Sequence, residues 1–110
     1  FPKNSIHPGL NTGFQGWLDS HPEVDTFIVL GDCTDLCTYQ LAMHLRLDAN
    51  AYQRQRRVIA PVDCIQTYDM PVQTAADLGI MPHPGDLFHS IFLYHMALNG
   101  IEVVRNLEVA

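Results

Sequence analysis

The run Thr26-Phe27-Ile28-Val29-Leu30 does not alternate between apolar and polar residues, and it stops at Gly31. A half-buried strand alternates, whereas an uninterrupted apolar run of this length suits a strand covered on both faces, as in a parallel sheet. Parallel neighbours need long crossovers, usually helices. The chain has segments of that kind. Residues 1–12, rich in Pro, Gly and Asn, read as a loop. Asn11 or Thr12 is positioned to cap a helix over 13–20, with Trp17 and Leu18 on its buried face. His21-Pro22-Glu23 is a turn. After the first strand, Thr34 or Asp35 caps a helix running to about residue 50. Its apolar residues Leu36, Tyr39, Leu41, Ala42, Met43, Leu45 and Leu47 cover much of its circumference, which predicts deep burial. A second strand follows at 57–62, with Pro61 at its end because proline cannot donate to a ladder. Residues 67–71 form a turn, 72–78 a short helix stopped by Gly79, and Pro82, Pro84 and Gly85 a loop. Asp86 caps a helix over 87–98, Asn99-Gly100 stops it, and 101–104 is the third strand.

The order is therefore α-β-α-β-α-β, an α/β chain with parallel pairing and right-handed crossovers. Doubly wound sheets commonly have about five or six strands. Three strands in 110 residues read as one half of such a domain, with an exposed edge that needs a partner. The chain starts at Phe1, which reads as a processed start or a piece of a longer chain. Hydrophobic residues make up 47% and charged residues 16%, too apolar for disorder. The formal charge of −6 leaves no basic face for nucleic acid. Arg54, Arg56 and Arg57 are the one basic cluster and read as solvated charge. No apolar run nears the roughly 20 residues that span a bilayer, so no membrane partner is expected. Three cysteines and no signal segment argue for a reducing, cytoplasmic setting rather than a disulfide framework.

The chemistry is expected in Leu30-Gly31-Asp32-Cys33-Thr34-Asp35-Leu36-Cys37, which runs from a strand's carboxyl end into a helix. Ligands collect at that edge of open α/β sheets. Cys37 falls in the first helical turn, where free N–H groups and the helix dipole favour a thiolate. The same N–H groups can receive an oxyanion when a carbonyl is attacked. Position alone leaves Cys37 equally open to being a small buried hydrophobe.

Gly31, Thr34, Asp35 and Cys37 complete a Gly-x-x-Thr-Asp-x-Cys motif after an apolar strand. Lys3 precedes Cys37 by 34 residues and is followed by Gly9-Leu10-Asn11-Thr12 and a helix. Downstream, 58–63 is a strand ending in an acidic residue, and 86–104 a closing helix and strand. Together these resemble the isochorismatase-like cysteine hydrolases, which include nicotinamidases, N-carbamoylsarcosine amidases and ureidoacrylate amidases. The resemblance implies the C-terminal half of a doubly wound, Rossmann-like three-layer α/β/α domain, with 1–110 a single partial domain. It also implies hydrolysis of a C–N amide or ureido bond of a small molecule through a thioester, with no cofactor. Cys37 would be the nucleophile and Lys3 its cationic partner. The peptide before Cys33 would be cis, and the N–H groups of Cys33 and Cys37 would form the oxyanion hole. The family's catalytic aspartate lies in an earlier strand, as do the metal ligands of nicotinamidases, and this chain starts at about the lysine. Asp32, Asp35 and Asp63 do not match that position, and Asp35 reads as a helix cap.

His7, in the same loop as Lys3, and Phe14 are candidates for lining a substrate pocket, and residues 64–69 for shaping its rim. Trp17 reads as core. Cys33, Cys37 and Cys64 lack the second pair that a zinc site needs, and Cys33–Cys37 lacks redox spacing. His83, Asp86 and His89 read as an acidic cap beside two surface histidines, and His44 and His95 as packed or partly exposed helix residues. The stripe Phe92-Leu93-Tyr94-His95-Met96 reads as core or interface. The expected partners are a small-molecule amide and either a second copy of this chain or a companion N-terminal half. The rival reading is an assembly module that keeps the motif but lacks the base.

Overall fold

The computed structural model describes residues 1–108. Helix α1 (Phe14–Ser20) leads to strand β1 (Thr26–Ile28), strand β2 (Gly31–Asp32) and helix α2 (Cys37–Ala51). Strand β3 (Arg57–Pro61), a 3₁₀ turn (Val62–Cys64) and strand β4 (Ile65–Gln66) follow. Helix α3 (Val72–Leu78), helix α4 (Gly85–Leu98) and strand β5 (Glu102–Val104) complete the order. Strands β1, β3 and β5 form a parallel sheet in that spatial order, with Phe27 opposite Val58 and Ala60 opposite Val103. The Val29 N–H donates to the Ile59 carbonyl at 2.9 Å. Beyond it β2 and β4 form a second parallel pair, with Gly31 opposite Ile65. The α/β alternation and parallel pairing read from the sequence are thus present, with the short β2–β4 pair added at the sheet's carboxyl edge.

Strand β3 lies in the middle and buries Val58, Ile59, Ala60 and Pro61. Around it Leu18, Val29, Ala42, Leu45, Leu93, Met96 and Ile101 close one continuous core. Fully burying a side chain such as Leu45 or Leu18 is worth about 1.5–3 kcal/mol. The edge strand β1 departs from expectation. Phe27 and Val29 turn inward, but Ile28 is 46% and Leu30 59% exposed. The run carries apolar residues for both faces, and the described chain covers one of them. On α2, Leu47 is likewise exposed, while Ala42, Met43, Leu45 and Ala49 are buried.

Two expected caps are corrected, and the expected Thr12 bond at α1 is present. Helix α2 starts after Leu36 and no side chain caps it, because Thr34 and Asp35 turn to other partners. Asp86 lies inside the first turn of α4, and the Gly85 N–H donates instead to the Asp69 carboxylate at 2.8 Å. Gly13 stands at the start of α1, where the Thr12 hydroxyl accepts from the Phe14 N–H. Helix α3 and its stop at Gly79, with φ +67°, match expectation. The solvated reading of Arg56 is also overturned. Its guanidinium donates to Asp48 at 2.8 Å and to the Leu45 carbonyl at 3.0 Å, with the two charged side chains 5% and 6% exposed. Arg56 sits just before β3, beneath α2, where only a paired charge is tolerated.

The stripe at 92–96 divides between roles: Leu93 and Met96 enter the core, Tyr94 is exposed, and the exposed His95 meets the Tyr39 hydroxyl at 2.8 Å. Leu87, Ile91, Tyr94 and Leu98 form an exposed apolar row on α4. No helix of the described residues is long and apolar enough to cross a membrane.

Candidate active site

Loop 33–36 joins β2 to α2 at the carboxyl edge of the sheet. Gly31 enters it at φ +126°, a conformation that a side chain disfavours. The Asp32–Cys33 peptide is cis. The Cys33 carbonyl then accepts the Leu36 and Thr38 N–H groups at 3.1 and 3.2 Å. Among the described residues, neither the Cys33 nor the Cys37 N–H has a backbone acceptor. Cys37 is the first residue of α2 and half-buried. Lys3, from the N-terminal loop, brings Nζ to 3.7 Å from the Cys37 sulfur and also donates to the Ser5 carbonyl at 3.0 Å. Opposite unit charges at this range attract by about 1 kcal/mol in water and about 4 kcal/mol near a protein surface. Lys3 is exposed, which holds the effect toward the lower figure.

The structure thus brings together Lys3, Cys33 and Cys37. His7 and Phe14 both pack against the His44 ring, with centroids at 5.3 and 5.9 Å. His7 lines a cavity of about 350 Å³ with Gln40, Met43, His44, Leu47, Asp48 and Ala51. Burial and the nearby His7 hold the His44 pKa below 6.5. A cavity of about 290 Å³ adjoins the cysteine loop, lined by Asp32, Cys33, Gln66, Thr67 and Tyr68. Of the segment 64–69, Gln66, Thr67 and Tyr68 line this cavity. A larger cavity of about 390 Å³, lined by Arg46, Arg54, Arg56 and Arg57, opens where β1 and β3 begin, at the opposite edge from Cys37. All three cysteines are free, and the hydrogen bond from Cys64 to Asp63 pushes that exposed thiol's pKa up.

Sequence reasoning missed one constellation. Asp35 is not a cap but a buried acceptor, taking the Thr67 hydroxyl at 2.7 Å and meeting His83 Nε2 at 2.6 Å. The Asp35 and His83 side chains are 6% and 11% exposed. His83, read as a surface residue, stacks between Tyr68 and Phe88, with ring centroids at 4.1 and 5.0 Å. His89, also read as a surface residue, bonds the buried Thr34 hydroxyl through Nδ1 at 2.7 Å. Burial pushes the Asp35 carboxyl up, but the Thr67 and His83 bonds outweigh it and leave its pKa below 3.8. The bond to Asp35 holds His83 above 6.5 against desolvation. With Asp35 so committed, no carboxylate of the described residues is hydrogen-bonded to Cys37 or Lys3. Nor do three metal-ligating side chains cluster among them.

No protein-family model matches the chain. It resembles the C-terminal part of the isochorismatase-like cysteine hydrolases. Among curated proteins it is similar to Nicotinamidase 1 of Arabidopsis thaliana, 28% identical over 103 residues, 86% of this chain and 40% of that protein. Among solved structures it is similar to the nicotinamidase of Staphylococcus aureus, with a TM-score of 0.64 and 17% identity, over 96% of this chain and 52% of that one. It is also similar to the pyrazinamidase/nicotinamidase of Streptococcus mutans, with a TM-score of 0.59 and 16% identity, over 93% of this chain and 44% of that one. The two structures establish the shared fold, and the chain spans about half the length of these relatives.

Proposed function

We propose that residues 1–110 are the nucleophile-bearing part of one cysteine amidohydrolase domain that cleaves a C–N bond in a small amide. The observation that carries this reading is the Lys3 ammonium 3.7 Å from the sulfur of Cys37, at a helix start beyond the sheet's carboxyl edge. The sulfur attacks the carbonyl carbon, and the Cys33 and Cys37 N–H groups receive the developing oxyanion. The C–N bond breaks as the base passes the thiol proton to the leaving nitrogen, and water then hydrolyses the thioester to release the acid and restore the thiol. These steps draw no cofactor from the residues named. No carboxylate of the described residues is bonded to Cys37, so a carboxylate from outside residues 1–110, on an N-terminal half of the same domain, a companion chain or a second copy, accepts the thiol proton. Free cysteines suit a reducing compartment such as the cytoplasm.

The test is turnover by the protein purified from its source with any polypeptide that accompanies it. The probes are nicotinamide, the amide named by the relatives, and a panel of primary amides and ureido compounds. Wild-type material is expected to release ammonia from at least one of them, and Cys37→Ala to fall to the uncatalysed background while keeping its fold. Full turnover in Cys37→Ala would overturn the assignment. No turnover with any companion, together with a Cys37 inert to iodoacetamide, would leave an assembly module.

A further inference from the structure

Loop 33–36 must hold two N–H groups and a sulfur in register, yet it has little backbone support. Among the described residues, its hydrogen bonds to the rest of the molecule are the Thr34 N–H to the Gln66 carbonyl at 2.9 Å and a set from side chains far along the chain. Thr67 and His83 reach Asp35 across 32 and 48 residues, and His89 reaches Thr34 across 55. We propose that His83 is a positioning residue: clamped between Asp35 and the Tyr68 carbonyl, it fixes loop 33–36 and so aims Cys37 and the Cys33 and Cys37 N–H groups. This rests on the amidohydrolase reading above and adds to it a residue outside the resemblance.

The proton count of the clamp follows from its geometry. His83 Nδ1 lies 2.6 Å from the Tyr68 carbonyl oxygen, which can only accept, so Nδ1 carries a hydrogen. Nε2 lies 2.6 Å from a carboxylate oxygen and needs a hydrogen there too. The ring is therefore an imidazolium on a carboxylate, a bond about twice as strong as a neutral one. Tyr68 and Phe88 hold its two faces, lying nearly parallel to it at 19° and 8°. The ring is thus fixed in plane and its distance to the carboxylate set, and Asp35 lies two residues from each of the cysteines whose N–H groups the pair would aim.

The test separates the two sides of the ring. His83→Gln keeps a donor toward Asp35, whereas His83→Asn keeps only the one toward Tyr68. The readout is the rate at which iodoacetamide alkylates Cys37 in the full chain, followed by peptide mass with exposed Cys64 as the internal reference, beside a thermal melt. Wild-type Cys37 is expected to react faster than Cys64. His83→Asn is expected to slow Cys37 relative to Cys64 by about tenfold or more, with His83→Gln within about threefold of wild type, even where the two melt together. Equal rates in the two variants, or a wild-type rate in His83→Asn, would overturn the clamp and leave the nucleophile reading standing. A wild-type Cys37 no faster than Cys64 removes both. Should the His83 variants not fold, Thr67→Val removes one bond to Asp35. It is expected to slow Cys37 by about two- to fivefold, and an unchanged rate there overturns the clamp.

Discussion

Asp35 and His83 tie stability to pH from both sides. The Asp35 pKa lies below 3.8 in the folded chain, so its contribution is present above 3.8 and lost as pH falls through the folded value. His83 is held above 6.5, so its contribution is complete below 6.5 and lost as pH rises through the raised value. The pair therefore stabilises most between about pH 4 and 6.5. His44 acts in the opposite sense, since its lowered pKa makes acidification below 6.5 costly. Comparing variants at each pH cancels that effect. The urea midpoint of His83→Gln is expected to fall furthest below wild type in the pH 4–6.5 window and to converge with it on both sides. A constant gap from acid to alkaline pH would show that the pair is not charged. Lys3 gives a second residue-scale prediction. Lys3→Met is expected to slow Cys37 alkylation by roughly five- to tenfold, the equivalent of about 1 kcal/mol, and to leave Cys64 unchanged. Cys37 and Lys3 were legible because the cysteine sits in a contiguous motif and the lysine at a set distance from it. His83 was not, because a buried ion pair across 48 residues leaves no local pattern, and a histidine between prolines looks like a surface loop.

At the scale of elements, what the sequence showed was the identity and order of strands and helices. What it concealed was how their ends are secured. Asp86 and Asp35 are good capping residues in isolation, yet one lies within its helix and the other serves the clamp. The start of α4 is secured instead from loop 67–71, and Gly85 is needed there. A methyl group on Gly85 would meet the Tyr68 carbonyl oxygen at 2.6 Å, the oxygen that accepts from His83. Backbone cannot yield as a flexible side chain does, so Gly85→Ala is expected to cost about 1–3 kcal/mol by chemical denaturation and to slow Cys37 alkylation as well. Loss of stability without loss of thiol reactivity would place the strain in the helix alone. The junction of α2 and β3 depends on the buried Arg56–Asp48 pair. Arg56→Leu alone strands a buried carboxylate and is expected to cost about 3–5 kcal/mol, while Arg56→Leu with Asp48→Leu recovers most of it. A double variant no more stable than the single one would mean that Asp48 is needed for its bond from Gln15 rather than for the ion pair.

A compact 12.4 kDa protein exposes about 6,100 Å², and this chain exposes 7186 Å². Its radius of gyration is 15.5 Å, against about 13 Å for a compact domain of this length. The excess of about 1,000 Å² is close to one partner's share of a standard interface, about 800 Å². It includes two unlike regions: the open side of β1, where Ile28 and Leu30 stand beside a strand edge with no ladder partner among the described residues, and the row Leu87, Ile91, Tyr94 and Leu98 on α4. The β1 side offers backbone donors and acceptors as well as apolar surface, and a strand edge of that kind takes up another strand. The α4 row offers apolar surface without a free ladder. Association, whether with a second copy or with a companion, is therefore expected to run through β1. In sedimentation velocity over rising concentration, Ile28→Lys with Leu30→Lys is expected to shift the protein toward the monomer, and Ile91→Lys with Leu98→Lys to do so less. If the α4 pair alone dissociates the assembly, the helix face is the interface and the strand edge is left to solvent. If neither pair of lysines changes the sedimentation, both faces are left to solvent and association through β1 falls.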